Sequence, residues 1–121
     1  MIELFLLLTF KHAICDLGLQ SQYLWGKTDA KKYYFGCHSH YLHHGIGTFM
    51  VLLLFVDPLI AVLGALFDYV AHWHIDFLKH TTNNWVGCGR SDKIYWWIIV
   101  ADQIMHFLTY YLLVLYVISQ A

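Results

Sequence analysis

The sequence predicts an all-α fold: an integral membrane four-helix bundle with a polar His/Asp cluster in its cytoplasmic half. Three observations carry this expectation. The chain is 60% apolar and only 12% charged, against the ~25% charged residues of soluble domains. Four long apolar segments alternate with polar connections. Each of those segments also carries one pair of imidazole or carboxylate residues spaced four apart: His12 and Asp16, His40 and His44, His72 and Asp76, Asp102 and His106. With 121 residues, positions 1–121 form a single domain. A soluble fold of this size could not hide so much apolar surface, so much of it is expected to face lipid. A net charge of -1 excludes a nucleic-acid binder, which needs a basic face. Cys15, Cys37 and Cys88 have unrelated spacings and an odd count, so they imply no disulfide framework and read as free thiols.

Segment one is placed at about 2–24, long enough for a hydrocarbon core of ~30 Å. Met1 to Phe10 lacks the basic start and the small-residue cleavage site of a signal peptide, so a retained membrane helix is expected. Lys11 is the awkward residue there, since a cation inside a bilayer needs an acid or a route to the interface. Gly26 to Gly36, with Lys27, Asp29, Lys31 and Lys32, reads as a polar loop. Segment two covers about 37–56, His-rich at first and then strongly apolar. Asp57-Pro58 marks the next boundary, with Asp57 suited to cap a helix and Pro58 to its first position. Segment three is placed at about 58–79, followed by a second polar loop from His80 to Arg90. Ser91 or Asp92 can cap segment four, at about 92–118.

Charge sets the expected orientation. All Lys and Arg residues except Lys11 lie in or near the first and third connections. Under the positive-inside rule both termini face outward and the two long loops face the cytoplasm. Trp25, Tyr33, Tyr34, Trp85, Tyr95, Trp96 and Trp97 lie near that same side, where an aromatic belt belongs.

Residues i and i+4 project from one helix face, and four helices each offering such a pair are what a metal site inside a bundle requires. Counted from the cytoplasmic ends, the pairs on segments one to three fall at similar depths, with segment four somewhat deeper. Three ionised Asp near mid-membrane cost ~10 kcal/mol together on insertion scales, which a divalent cation can offset. Mixed imidazole and carboxylate ligands suit a divalent transition metal, with Zn first and Fe, Mn or Ni as alternatives. Eight side chains exceed one tetrahedral shell and leave room for one or two ions, or for carboxylates that orient the imidazoles. The rival reading is a metal-free polar network, because Asp and His hydrogen-bond each other well. Asp68 continues the face of His72 and Asp76 and can serve as base or ligand, while Gln20 and Gln103 flank the pairs. Lys79 follows Asp76 by three residues, where it can meet an anionic head group or simply snorkel. His40-Tyr-Leu-His43-His44 matches a His-x-x-His-His box, and Gly45 and Gly47 suit close helix approach.

These motifs, namely His12-x-x-x-Asp16-x-x-x-Gln20, His40-x-x-x-His44-Gly45, His72-x-x-x-Asp76-x-x-Lys79 and Asp102-Gln103-x-x-His106, resemble a family of small polytopic His/Asp-rich membrane proteins of bacteria and bacteriophages that is known as a domain of unknown function. The resemblance spans nearly the whole chain. It implies a multi-pass protein of the bacterial cytoplasmic (inner) membrane or of phage origin, and implies no activity. From the residues themselves the expected function is a metal-dependent hydrolase that acts on a lipid or other membrane-embedded substrate through a metal-activated water. His12, His40, His44, His72 and His106 would be nitrogen ligands, Asp16, Asp76 and Asp102 oxygen ligands or orienting carboxylates, and Asp76 or Asp68 the general base. Two alternatives stand beside it: a metal-ion or proton transport or sensing site, and a di-iron oxidoreductase built on the His40, His43 and His44 box. Membrane lipids are the expected partners, and a homo-oligomer is compatible with the composition.

Overall fold

The structure is a computed structural model that describes residues 1–18 and 38–121. Gln20, Trp25, the loop lysines 27, 31 and 32, Tyr33, Tyr34 and Cys37 lie outside the described residues. Four α-helices make up the described chain: α1 (Ile2–Ala13), α2 (His38–Leu52), α3 (Pro58–Val86) and α4 (Lys93–Ser119). Each packs on two neighbours, α1 on α2 and α4, and α3 on α2 and α4, so the helices close into a ring.

The helix ends depart from expectation in instructive ways. α1 passes after Ala13 into a π-helical turn, Ile14–Gly18, which carries Asp16; such single turns are frequent at functional sites. α2 stops at Leu52, and Asp57 then occupies the N-cap position of α3 in extended conformation with Pro58 just inside the helix. The Asp57 carboxylate makes no cap hydrogen bond, so Pro58 and the backbone start this helix without it. α3 runs through His80 to Asn84, expected in a loop, and ends at Val86, where Gly87 takes the left-handed conformation (φ 69°) that closes a helix. Asp92 sits at the N-cap of α4, but its carboxylate accepts from the Gly89 amide at 2.8 Å instead of capping.

The extra length of α3 changes the depth of its pair. Asp76 on α3 and Asp102 on α4 both stand roughly ten residues, or about 15 Å, from the hairpin that joins these helices. The pair on α4 is therefore level with that on α3.

α3 and α4 are each long and apolar enough to cross a membrane. Their outer faces expose Leu59, Leu63, Leu66, Val70, Ile104, Leu108, Leu112 and Leu115. Inside, the distribution is reversed: among the described residues the buried polar side chains, eleven, equal the buried apolar ones. Most of the apolar ones gather at one end, where Leu4 and Leu8 of α1 meet Leu52, Ala61, Leu113 and Val117. Gly64 permits this closeness, since a Cβ there would overlap Leu52 Cδ1. The polar ones fill the remainder of the interior.

Candidate metal centre

The four pairs meet in the bundle interior. Asp16, in the π-helical turn, is surrounded by imidazoles from two helices: its Oδ1 lies 3.0 Å from His44 Nε2 and 3.3 Å from His40 Nε2, and its Oδ2 lies 3.2 Å from His12 Nε2. Asp76 forms a second focus. Its Oδ2 lies 3.4 Å from His72 Nε2 and 3.6 Å from His40 Nε2, and its Oδ1 lies 3.3 Å from His106 Nε2. Asp102 Oδ1 stands 3.5 Å from the same His106 nitrogen. The rings of His44 and His72 stack with centroids 3.7 Å apart, and those of His72 and His106 at 4.1 Å.

The geometry of these approaches is that of shared ligands more than of hydrogen bonds. Two donors bound to one tetrahedral ion at about 2.0–2.1 Å are about 3.3 Å apart, in the middle of the N···O separations above. Nε2 of His12, His40, His72 and His106 and Oδ1 of Asp102 are buried, yet none makes a hydrogen bond of acceptable angle. Buried polar atoms are seldom left so, and a cation among those of His40, His72, His106 and Asp102 would supply what is missing. Three groups have their ligand atoms mutually within 4.8 Å: Asp16 with His40, His44 and His72; His12 with His72 and His106; and Asp76 with Asp102 and His106. All eight residues singled out by spacing thus belong to a group that could hold a metal ion.

Two lysines bracket this centre. On the side of the apolar core, Lys11 Nζ donates to Asp68 Oδ2 at 2.9 Å and to the Tyr110 hydroxyl at 3.2 Å, and lies 3.4 Å from His44 Nδ1. Thr48 Oγ1 donates to the same Asp68 oxygen. Gly47 makes space for the lysine stem, since a Cβ there would sit 2.7 Å from Lys11 Cγ. On the hairpin side, Lys79 Nζ bridges Asp76 Oδ1 and Asp102 Oδ2, at 3.2 Å from each, and Gln103 donates to Asp102 Oδ2 at 3.0 Å.

The donor inventory assigns two tautomers. An ammonium only donates, so a charged Lys11 makes His44 Nδ1 an acceptor and leaves the His44 proton on Nε2, facing Asp16 at 3.0 Å. The Tyr110 hydroxyl, accepting from Lys11, has its proton free for His12 Nδ1 at 2.7 Å, which likewise directs the His12 proton at Asp16. His44 thereby holds Asp16 by a hydrogen bond, with His12 Nε2 close by at 3.2 Å, whereas neither ring nitrogen of His40 or His72 has a hydrogen-bond partner among the described residues.

A family model described as "Protein of unknown function (DUF3307)" matches residues 4–121. The chain belongs to this family. No curated protein and no solved structure matches it. The match covers all four helices and every residue of the centre, so the cluster is part of the DUF3307 domain itself.

Other expected participants fall elsewhere. Asp68 faces Lys11 and Thr48 and joins none of the three groups. His43 also stands outside them, and its carbonyl accepts from the Cys15 thiol at 3.7 Å. His38 hydrogen-bonds Tyr69, away from the cluster. Of the two glycines expected at close approaches, Gly47 faces Lys11, and Gly45 faces Tyr69 at ordinary contact distance. Thr48 and Tyr110 are the participants that spacing arguments passed over. Both extend the four-residue ladder by one turn, Thr48 from His44 and Tyr110 from His106, as Asp68 does from His72.

Proposed function

We propose that the protein is a membrane-embedded, metal-dependent hydrolase that acts on a lipid or another substrate within the bilayer. The observation that carries this reading is the set of buried imidazole nitrogens, from all four helices, aimed at Asp16 and Asp76 at ligand-to-ligand spacing. Asp16, His40 and His72 would hold the ion, with His44 donating to Asp16 and fixing its orientation. Three protein ligands leave a coordination place for water, the arrangement of catalytic as opposed to structural zinc sites. Zinc suits this mixed nitrogen and oxygen set, and it would lower the pKa of a water towards neutrality. Asp76, whose Oδ2 faces the same two histidines, would accept the proton. Asp68 serves instead as the counter-ion of Lys11.

A membrane substrate is favoured by the cleft between α3 and α4. Its volume is about 120 Å³, it is lined by Ile75, Leu78, Lys79, Thr82, Ile98, Ala101, Asp102 and Met105, and it places Asp102 and Lys79 beside an apolar wall. In this reading the hairpin with Arg90 and Lys93 faces the cytoplasm of a bacterial cell, the bundle is multi-pass, and both termini lie on the outer side. The transport alternative is disfavoured by the apolar packing of Leu4, Leu8, Leu52, Ala61 and Leu113 beyond the Lys11 layer, which interrupts any polar path there. The di-iron alternative loses His43 from its box.

The test is metal analysis of protein purified in lipid nanodiscs, followed by a hydrolysis screen on vesicles of phospholipids and polyisoprenyl phosphates with mass-spectrometric detection. At least one transition-metal ion per chain, and a product lost on chelation and restored by zinc, are expected. Protein that neither carries nor takes up a divalent transition metal overturns the reading.

A further inference from the structure

Lys79 is the least explained group beside the centre. A lysine buried in a bundle ordinarily takes one acid, but Lys79 Nζ stands 3.2 Å from Asp76 Oδ1 and 3.2 Å from Asp102 Oδ2, the carboxylates of two different helices. Those carboxylates, together with His106, are also a group able to hold a metal. Two atoms aimed into that group are buried and unpartnered: His106 Nε2, in a residue 1% exposed, and Asp102 Oδ1, in a residue 4% exposed. The Lys79 side chain is 18% exposed, more than those of Asp76, Asp102 and His106, and lines the cleft between α3 and α4.

We infer that Asp76, Asp102 and His106 form a second, weaker site for a divalent transition-metal ion, and that the Lys79 ammonium is the cation this ion must displace. The inference rests on the first ion site proposed above. Without the second ion, Lys79 neutralises two carboxylates that would otherwise repel each other across the helix pair. When the ion arrives it takes over that neutralisation, at Asp76 and through Asp102 Oδ1. The flexible stem of Lys79 lets the ammonium withdraw into the cleft, which the residue already lines. Asp76 couples the two sites because its oxygens face different partners: Oδ1 faces His106 and the second ion, while Oδ2 stays directed at His40 and His72 as the base of the first site. The site is therefore occupied in steps: a first ion held by Asp16, His40 and His72, and a second admitted against a resident positive charge.

Zinc titration of metal-stripped protein in nanodiscs, read by calorimetry and by bound-metal analysis, tests this. The wild-type chain is expected to bind one ion tightly and a second more weakly. Removing the competing charge with Lys79→Met should tighten the second step by roughly tenfold or more and leave the first nearly unchanged. Lys79→Arg, which retains the charge, should behave like the wild type. Asp102→Asn should abolish the second step alone and shows that the protein tolerates change at this end. A wild-type chain that binds no ion defeats the function proposed above. A chain that binds one ion and no second, in both the wild type and Lys79→Met, defeats only the present inference, as does a second step whose affinity is the same in Lys79→Met.

Discussion

Lys11 and Lys79 are the same residue type, each inside the same bundle and each paired with Asp, yet they sit in different surroundings. Lys11 is 7% exposed, and its ammonium meets Asp68, Tyr110 and His44 in a layer sealed by Thr48 and by the apolar core above it. Its acid, Asp68, belongs to none of the metal-capable groups, so the ion pair is a fixed one. Lys79 lies at the open end and borrows its two partners from the metal-ligating set. A buried ion pair is weak evidence for net stability, but removing one member strands the other. The comparison teaches that the partner decides the role. A lysine matched to a dedicated acid is a fixed counter-ion, and one matched to ligands is exchangeable.

Thermal unfolding with and without zinc separates the two roles. Lys11→Met should cost about 3–5 kcal/mol by leaving Asp68 charged and unpaired, and the loss should persist at saturating zinc; adding Asp68→Asn should restore most of it. Lys79→Met should cost less, about 1–3 kcal/mol without metal, and saturating zinc should erase the difference. If both losses persist with metal, the two layers are equivalent and the contrast fails.

The tautomer assignment makes a smaller, sharper demand. His44→Gln, which removes the imidazole that links Lys11 to Asp16, should weaken first-ion binding by about 10–100-fold, the usual effect of an outer-shell partner, whereas His72→Ala should abolish that binding. Equal losses in titrations of the two variants would place His44 among the ligands. The mildest change is Gly47→Ala. Its methyl group would meet Lys11 Cγ at 2.7 Å, and a displaced stem should lower stability by about 1 kcal/mol. A neutral result in the unfolding assay would show that the Lys11 layer is looser than its contacts imply.

Much of the centre could be read from spacing alone. Residues four apart must share a helix face, so His12 and Asp16, His40 and His44, His72 and Asp76, and Asp102 and His106 were recognisable as pairs before any fold was known. Thr48 and Tyr110 obey the same spacing, but a hydroxyl in an apolar helix is commonplace and carried no signal until Lys11 gave it a partner. The length of α3 was missed for a related reason. His80 to Asn84 is polar, and polarity reads as a loop when the helix in fact continues to the left-handed turn at Gly87.

What the sequence determined by itself is the all-helical class with four helices, and the eight residues that gather in the centre; of the four membrane spans it predicts, α3 and α4 are long and apolar enough to cross. Those follow from periodicity and from the cost of polar groups among apolar ones, both local properties of the chain. Only the tertiary structure decided which atom meets which: that Lys11 crosses to Asp68, that His44 and His12 turn a proton towards Asp16, and that Lys79 spans Asp76 and Asp102. These depend on the rotation and depth of each helix against its neighbours. A shift of one residue, about 1.5 Å along the axis and about 100° around it, changes every such pairing without altering the helical pattern.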